Sequence, residues 1–204
     1  MENQTRRNFM QTMALAAIAS TALSPNQVQA QSELIIPSAF ANDLDLKPLS
    51  FDPQSLDGLS ANLINSHWQN NYGGSVRALN TIKQRLGAAL IDDTIPAYVY
   101  NDLKREHLLR TGSVVLHEYY FDNMAAPAAR DSALDAALAN AFGSVAAWEK
   151  EFKRIGAGLG GGSGWVMLGW NMHTLENYWM GDHAQAPAAT HPLLVMDMYE
   201  HSYH

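Results

Sequence analysis

The sequence contains no cysteine, which removes disulfides, thiolate nucleophiles and sulfur-ligated metal sites together. Charge is sparse, at 16% of residues, and leans acidic, with 13 Lys and Arg against 20 Asp and Glu and a formal net charge of −7. A chain of that balance has no electrostatic footprint for nucleic acid. The apolar stretch MALAAIASTAL at 13–23 is too short for a comfortable membrane span. There is no internal repeat of solenoid period, and the alanine-rich patch at 125–140 reads as helix rather than linker. What is present is a globular balance, 47% hydrophobic, in 204 residues, one domain's worth of chain. With sulfur gone, the eight histidines are the soft ligands that remain.

The N-terminus is set apart from the fold. TRRNFM at 5–10 puts two arginines ahead of the apolar stretch, and VQA at 28–30 offers a small residue for cleavage. That order of charged, apolar and small-residue regions predicts an export signal over 1–30. Arg6 and Arg7, followed at a one-residue gap by Phe9, resemble the twin-arginine signal of bacteria and imply periplasmic delivery. Cleavage after Ala30 leaves a chain that is still acidic and has no membrane anchor.

Residues 31–59 are rich in Pro, Ser and Asp and read as an extended arm. From Ser60, a plausible N-cap, apolar residues at Leu63, Ile64, Trp68, Val76, Leu79, Ile82 and Leu86 predict a helix, with a kink or close contact at Gly73–Gly74. A second helix over 95–124, broken near Thr111–Gly112, completes a helical hairpin. Two shorter helices follow over 125–158, the second capped by Ser144. GGGSGWVMLGWNMHTLENYWM then reads as strand, turn and strand, and HPLLVMD as a third strand. The expected fold is α+β: an arm and helical hairpin over 31–124, then a part with helices and a small antiparallel sheet over 125–204.

Without cysteine, a metal site must use histidine and carboxylate. His67 and His117 lie inside the two long helices among apolar and aromatic neighbours, and Asp197 and His201 end the third strand. Each signal is weak by itself, since a histidine on an apolar helix face is more often a satisfied core residue. Together with their surroundings they are not weak. LSFDPQSLDGLSANLINSHWQNNYGGSVRALN, HEYYFDNM, GGGSGWVMLGW and DMYEHSYH occur in the order and at about the spacing of the iron/manganese superoxide dismutase family, which residues 48–204 resemble. The most specific motif is D-x-[WY]-E-H-[AS]-Y at Asp197–Tyr203, supported by Gly162-Ser163-Gly164-Trp165.

The resemblance implies one iron or manganese ion per chain, held by His67, His117, Asp197 and His201, with a solvent molecule as fifth ligand. Three nitrogens and one oxygen suit metals that cycle between +2 and +3. It implies that one superoxide reduces the metal and leaves as O₂, and that a second reoxidises it and leaves as hydrogen peroxide. In this family a Gln or His bonds the bound solvent. Ser113 is too short for that role, and His183, in the loop after the strand hairpin, is the expected partner. Trp165 and Tyr120 match aromatics that wall the family's site, and Tyr199 replaces a frequent tryptophan. Glu200 matches a glutamate that reaches across the family's dimer interface to the partner's ligand histidine. The implied assembly is a homodimer, with a tetramer left open. His191 reads as structural, and His107 and His173 as solvent-facing.

The chain departs from the family in three places. His67, Asn71 and Ser75, spaced i, i+4, i+8, share a helix face, but the family usually carries histidine at 71 and tyrosine at 75. Ser75 keeps a hydroxyl without the reach or acidity of a phenol. A frequent tyrosine is His204 here. The family also continues for one or two further helices, so the sequence reads as short of them. The expectation is an exported superoxide dismutase with a rebuilt gateway and slower proton delivery. The alternative is a metal-binding relative that does not turn over. Arg77, Lys83 and Arg85 are the cations considered for drawing in an anionic substrate, although a solvated helix face explains them better.

Overall fold

Helical spacing of apolar residues dominates the first half of the chain and short apolar runs the last third, and the fold follows that division. A computed structural model describes residues 36–124 and 130–204. The export signal read at 1–30, the first residues of the arm, and the start of the alanine-rich segment lie outside the described residues.

Over its described residues the arm has no regular structure beyond two 3₁₀ turns, Ser38–Phe40 and Pro53–Ser55. It is tied to both long helices at one residue. Lys47 N–H donates to the Tyr72 hydroxyl at 2.8 Å, the Trp68 indole N–H donates to the Lys47 carbonyl at 2.9 Å, and the Lys47 ammonium pairs with Asp122. These contacts satisfy backbone groups that an arm without a ladder leaves open.

Helix α1 runs through three segments, Ala61–Ser66, His67–Tyr72 and Gly73–Leu90. Ser60 caps it as expected, accepting from Leu63 N–H at 3.2 Å. The middle segment is a π turn, a wide turn that such helices often carry at functional sites. The predicted irregularity at the glycine pair therefore falls in the six residues before it. Gly73 serves instead for close approach, because a Cβ there would lie 3.0 Å from Leu46 of the arm.

Helix α2 covers Ala97–Asp122 without interruption, which corrects the break expected at Thr111–Gly112. A single glycine costs a helix about 1 kcal/mol relative to alanine, too little to end one held by packing. Gly112 has another reason to be there: its missing Cβ would sit 1.7 Å from the carbonyl oxygen of His183. Ile64, Tyr72, Val76 and Leu79 of α1 and Val114, Leu116, Tyr120 and Phe121 of α2 share one buried core with Trp165, Met167, Met180 and Val195 of the sheet.

Helices α3 (Ser132–Phe142) and α4 (Val145–Leu159) follow, with Asp131 and Ser144 as side-chain caps. Trp148, Phe152 and Leu159 of α4 pack with Leu138 against Val166, Leu168 and Leu175. The sheet comprises β1 (Trp165–Trp170), β2 (Leu175–Met180) and β3 (His191–Asp197), antiparallel in the order β2-β1-β3. Strand β1 is covered on both faces, so Trp165 through Gly169 are all buried and its sequence is an apolar run rather than an alternation. The fold is the α+β one expected.

Register places the site. Trp165 pairs with Met180 on one side and Asp197 on the other. One end of the sheet thus gathers the start of the β2–β3 loop, with His183, and the chain after β3, with Tyr199 and His201.

Candidate metal centre

His67 enters from the π turn of α1, His117 from the buried face of α2, Asp197 from the end of β3, and His201 from the 3₁₀ turn Glu200–Ser202. Each offers one ligand atom, and the four atoms lie within 4.8 Å of one another. His67, His117 and Asp197 are buried, whereas His201 is exposed in the single chain.

The hydrogen bonds around these groups leave particular atoms free. His117 Nδ1 lies 2.7 Å from the Ser113 carbonyl oxygen. That oxygen can only accept, so Nδ1 carries the proton and Nε2 keeps its lone pair. Asp197 Oδ1 accepts from Tyr199 N–H at 2.8 Å, which leaves Oδ2 facing His67 Nε2 at 3.2 Å and His117 Nε2 at 3.9 Å. Among the described residues, both ring nitrogens of His67, His117 Nε2 and Asp197 Oδ2 are buried without a hydrogen-bond partner. Unmade bonds of this kind are costly, and here three of them converge. A cation between them satisfies all three.

The electrostatics point the same way. Burial lowers the pKa of His67 to about 4 and of His117 to about 4, so both imidazoles are neutral and able to donate a lone pair at physiological pH. Burial also raises Asp197 to about 6, because its negative charge is poorly solvated there. A group of neutral nitrogens around one costly carboxylate suits a divalent or trivalent metal.

Aromatic rings close the sides. Tyr120 and Phe121 lie 5.4 and 5.3 Å from the His67 ring, and Trp165 lies 5.1 Å from His117. Tyr199 is stacked between His183 at 5.1 Å and His201 at 5.4 Å. The Trp165 indole N–H donates to His183 Nδ1 at 2.9 Å, so the proton of neutral His183 sits on Nε2. Burial lowers the His183 pKa, Asp197 and Asp182 oppose that, and Arg110 adds to it.

Above the centre a cavity of about 330 Å³ opens between the two long helices. Asn70, Asn71, Gly74 and Ser75 of α1 form one wall, Arg110, Ser113 and His117 of α2 the other, and His183 and His201 complete it. Ser75 donates to the Asn71 carbonyl at 2.9 Å and so must accept from Ser113, 2.7 Å away. The expected shared face of His67, Asn71 and Ser75 holds to the extent that His67 forms the floor and the other two line the wall.

Other residues read from the sequence fall outside this group. Glu200 and His204 are exposed, the latter with its ring 5.4 Å from Tyr203. His173 and His191 are exposed, but His107 is half-buried beside Lys104 rather than fully solvent-facing. Arg77, Lys83 and Arg85 do not line the cavity; the Arg77 guanidinium lies against Gly73. The sequence reading missed Arg110, Phe121 and the Ser113 carbonyl. The first sits seven residues before His117 on the same helix, a spacing that repeats a helical face.

Residues 130–204 match the family model for the C-terminal domain of iron/manganese superoxide dismutases. The chain is 48% identical over 162 residues to an iron superoxide dismutase of Cupriavidus metallidurans, covering 78% of this chain and 82% of the relative. It is 30% identical to an iron superoxide dismutase of Aquifex aeolicus over 74% of each chain. It is 27% identical to a manganese superoxide dismutase of Halobacterium salinarum, over 80% of this chain and 82% of the relative.

Proposed function

The chain belongs to the iron/manganese superoxide dismutase family, and on that premise we propose that it disproportionates superoxide to O₂ and hydrogen peroxide at one iron or manganese ion held by His67, His117, Asp197 and His201. The observation that carries this reading is the convergence of three buried, unpartnered ligand atoms from three separate elements. The ion, cycling between +2 and +3, supplies the one-electron chemistry.

The residues supply position and protons. The Ser113 carbonyl fixes the His117 ring with Nε2 inward, and Tyr199 N–H orients Asp197. Trp165 holds His183 so that its Nε2 proton is free for a group in the cavity. That makes His183 the donor expected to hold solvent beside the centre. Tyr199, stacked on both His183 and His201, keeps the two rings in register. Tyr120 and Trp165 exclude water from the buried side.

The remaining parts of the reading rest on sequence. Arg6, Arg7 and the apolar stretch after them support export by the twin-arginine route to the periplasm. The exposed His201 and Glu200 support a homodimer in which a second copy covers the ligand. A metal-binding role without turnover is the second reading, and Ser75 favours it: its proton is committed to the Asn71 carbonyl and is not available to substrate.

The test is superoxide dismutation per bound metal, with iron and manganese measured on the same sample. Rapid turnover with one ion per chain is expected. One ion per chain with no turnover establishes the second reading instead.

A further inference from the structure

We propose that Arg110 is the cation that draws the anionic substrate into the cavity and aligns it over the His117 end of the site, an inference that rests on the dismutase reading and deepens it. Arg110 and Ser113 precede His117 by seven and four residues on α2, so the three occupy one face of the helix. His117 lies at the base of the cavity and Arg110 about 10 Å along the axis, toward its mouth. Both line it, and no carboxylate does among the described residues. The facing wall is made of small or amide side chains, with Gly74 and Ser75 opposite α2, which leaves the guanidinium a clear path to the interior. Its charge reaches His183 across the cavity. The guanidinium is held by Glu106, 3.4 Å away and one helical turn toward the N-terminus. That partly exposed pair offsets some of its charge.

Among the described residues Arg110 is the one Lys or Arg that lines this cavity; of the three cations first considered on α1, Arg77 comes nearest, its guanidinium beside Gly73 and Gly74, without lining it. A charge at that distance in a half-solvated site changes the local concentration of a monoanion by a factor of a few, screened by salt.

The test uses the metal-loaded protein with azide, a small monoanion, as the probe, followed by its optical spectrum. For Arg110→Gln the azide Kd is expected to rise about three- to fivefold. For superoxide, kcat/KM falls by a similar factor while kcat is kept, and its salt dependence flattens. Arg110→Lys retains most of the effect. Glu106→Gln, which touches nothing at the centre, tightens azide about twofold and steepens the salt dependence. Unchanged azide affinity and unchanged salt dependence in both Arg110→Gln and Glu106→Gln, at equal metal content, would overturn the proposal. So would a wild-type protein that binds metal but not azide. A protein that binds azide through Arg110 without dismutating superoxide keeps Arg110 as the group that attracts a small anion and removes the dismutase reading.

Discussion

His67, His117 and Asp197 lie almost fully buried among Tyr120, Phe121 and Trp165, while Asn71, Ser75 and Arg110, one or two helical turns along the same helices, face an open cavity. The floor is oriented by backbone groups: His117 Nδ1 and Asp197 Oδ1 are used by the Ser113 carbonyl and Tyr199 N–H, which leaves His117 Nε2 and Asp197 Oδ2, with His67 Nε2 beside them, for a metal. The mouth is built from small polar side chains that bond mainly to one another and to nearby carbonyls. A change in the floor therefore removes an atom that faces the metal position, whereas a change in the mouth breaks hydrogen bonds, the buried one between Ser75 and Ser113 included, without removing such an atom. Substitutions at Asn71, Ser75 or Arg110 should therefore alter access of the substrate more than binding of the metal.

The largest expected effect comes from breaking the floor. Asp197→Asn keeps the shape but removes the negative charge, and metal affinity should fall by more than about 100-fold, beyond what loss of an outer partner costs. Metal titration of the purified variant checks this, with its fold followed by circular dichroism.

Acid should act on the same residues. His67 and His117 titrate near 4 in the fold and near 6.5 when unfolded. Their contribution to stability is present above about pH 6.5 and is lost as pH falls toward 4. Asp197, raised to about 6, works in the opposite direction, because the folded chain takes up its proton first. Two imidazoles outweigh one carboxylate, so melts of the metal-free protein should show stability falling by a few kcal/mol between about pH 6.5 and pH 4.

Gly112→Ala probes the junction between floor and mouth. The new Cβ meets the His183 carbonyl, so the loop must move, at about 1–3 kcal/mol of stability. The Trp165–His183 bond should be disturbed with it, and thermal melts together with tryptophan fluorescence read both. Ser75→Ala is the smallest change. It removes a donor to Asn71 and an acceptor for Ser113 and should cost about 1 kcal/mol in denaturant unfolding, with metal content unchanged.

These contrasts also explain what the sequence could and could not reveal. The floor was legible because its residues are chemically unusual where they stand: imidazoles inside apolar helices, and an acid and histidine four apart after PLLVM. The hairpin was legible from the spacing of Ile64, Val76, Leu79 and Leu86, and the helix caps from Ser60 and Ser144. Gly112 was misread because its reason lies in a loop some 70 positions away, and a glycine within a helix pattern looks the same whether it breaks the helix or admits a neighbour. The π turn leaves no residue signature of its own. Arg110 was passed over because amphipathic spacing tells which residues share a face, not which face borders a cavity.

The account stands most directly on where the metal binds. Anomalous diffraction from crystals of the metal-loaded protein, collected at the iron and manganese edges, locates the ion independently of any activity. The account predicts one peak per chain, surrounded by His67 Nε2, His117 Nε2, Asp197 Oδ2 and a ring nitrogen of His201. A protein that dismutates superoxide with its ion bound elsewhere, or with His67 and His117 free of it, would contradict the account.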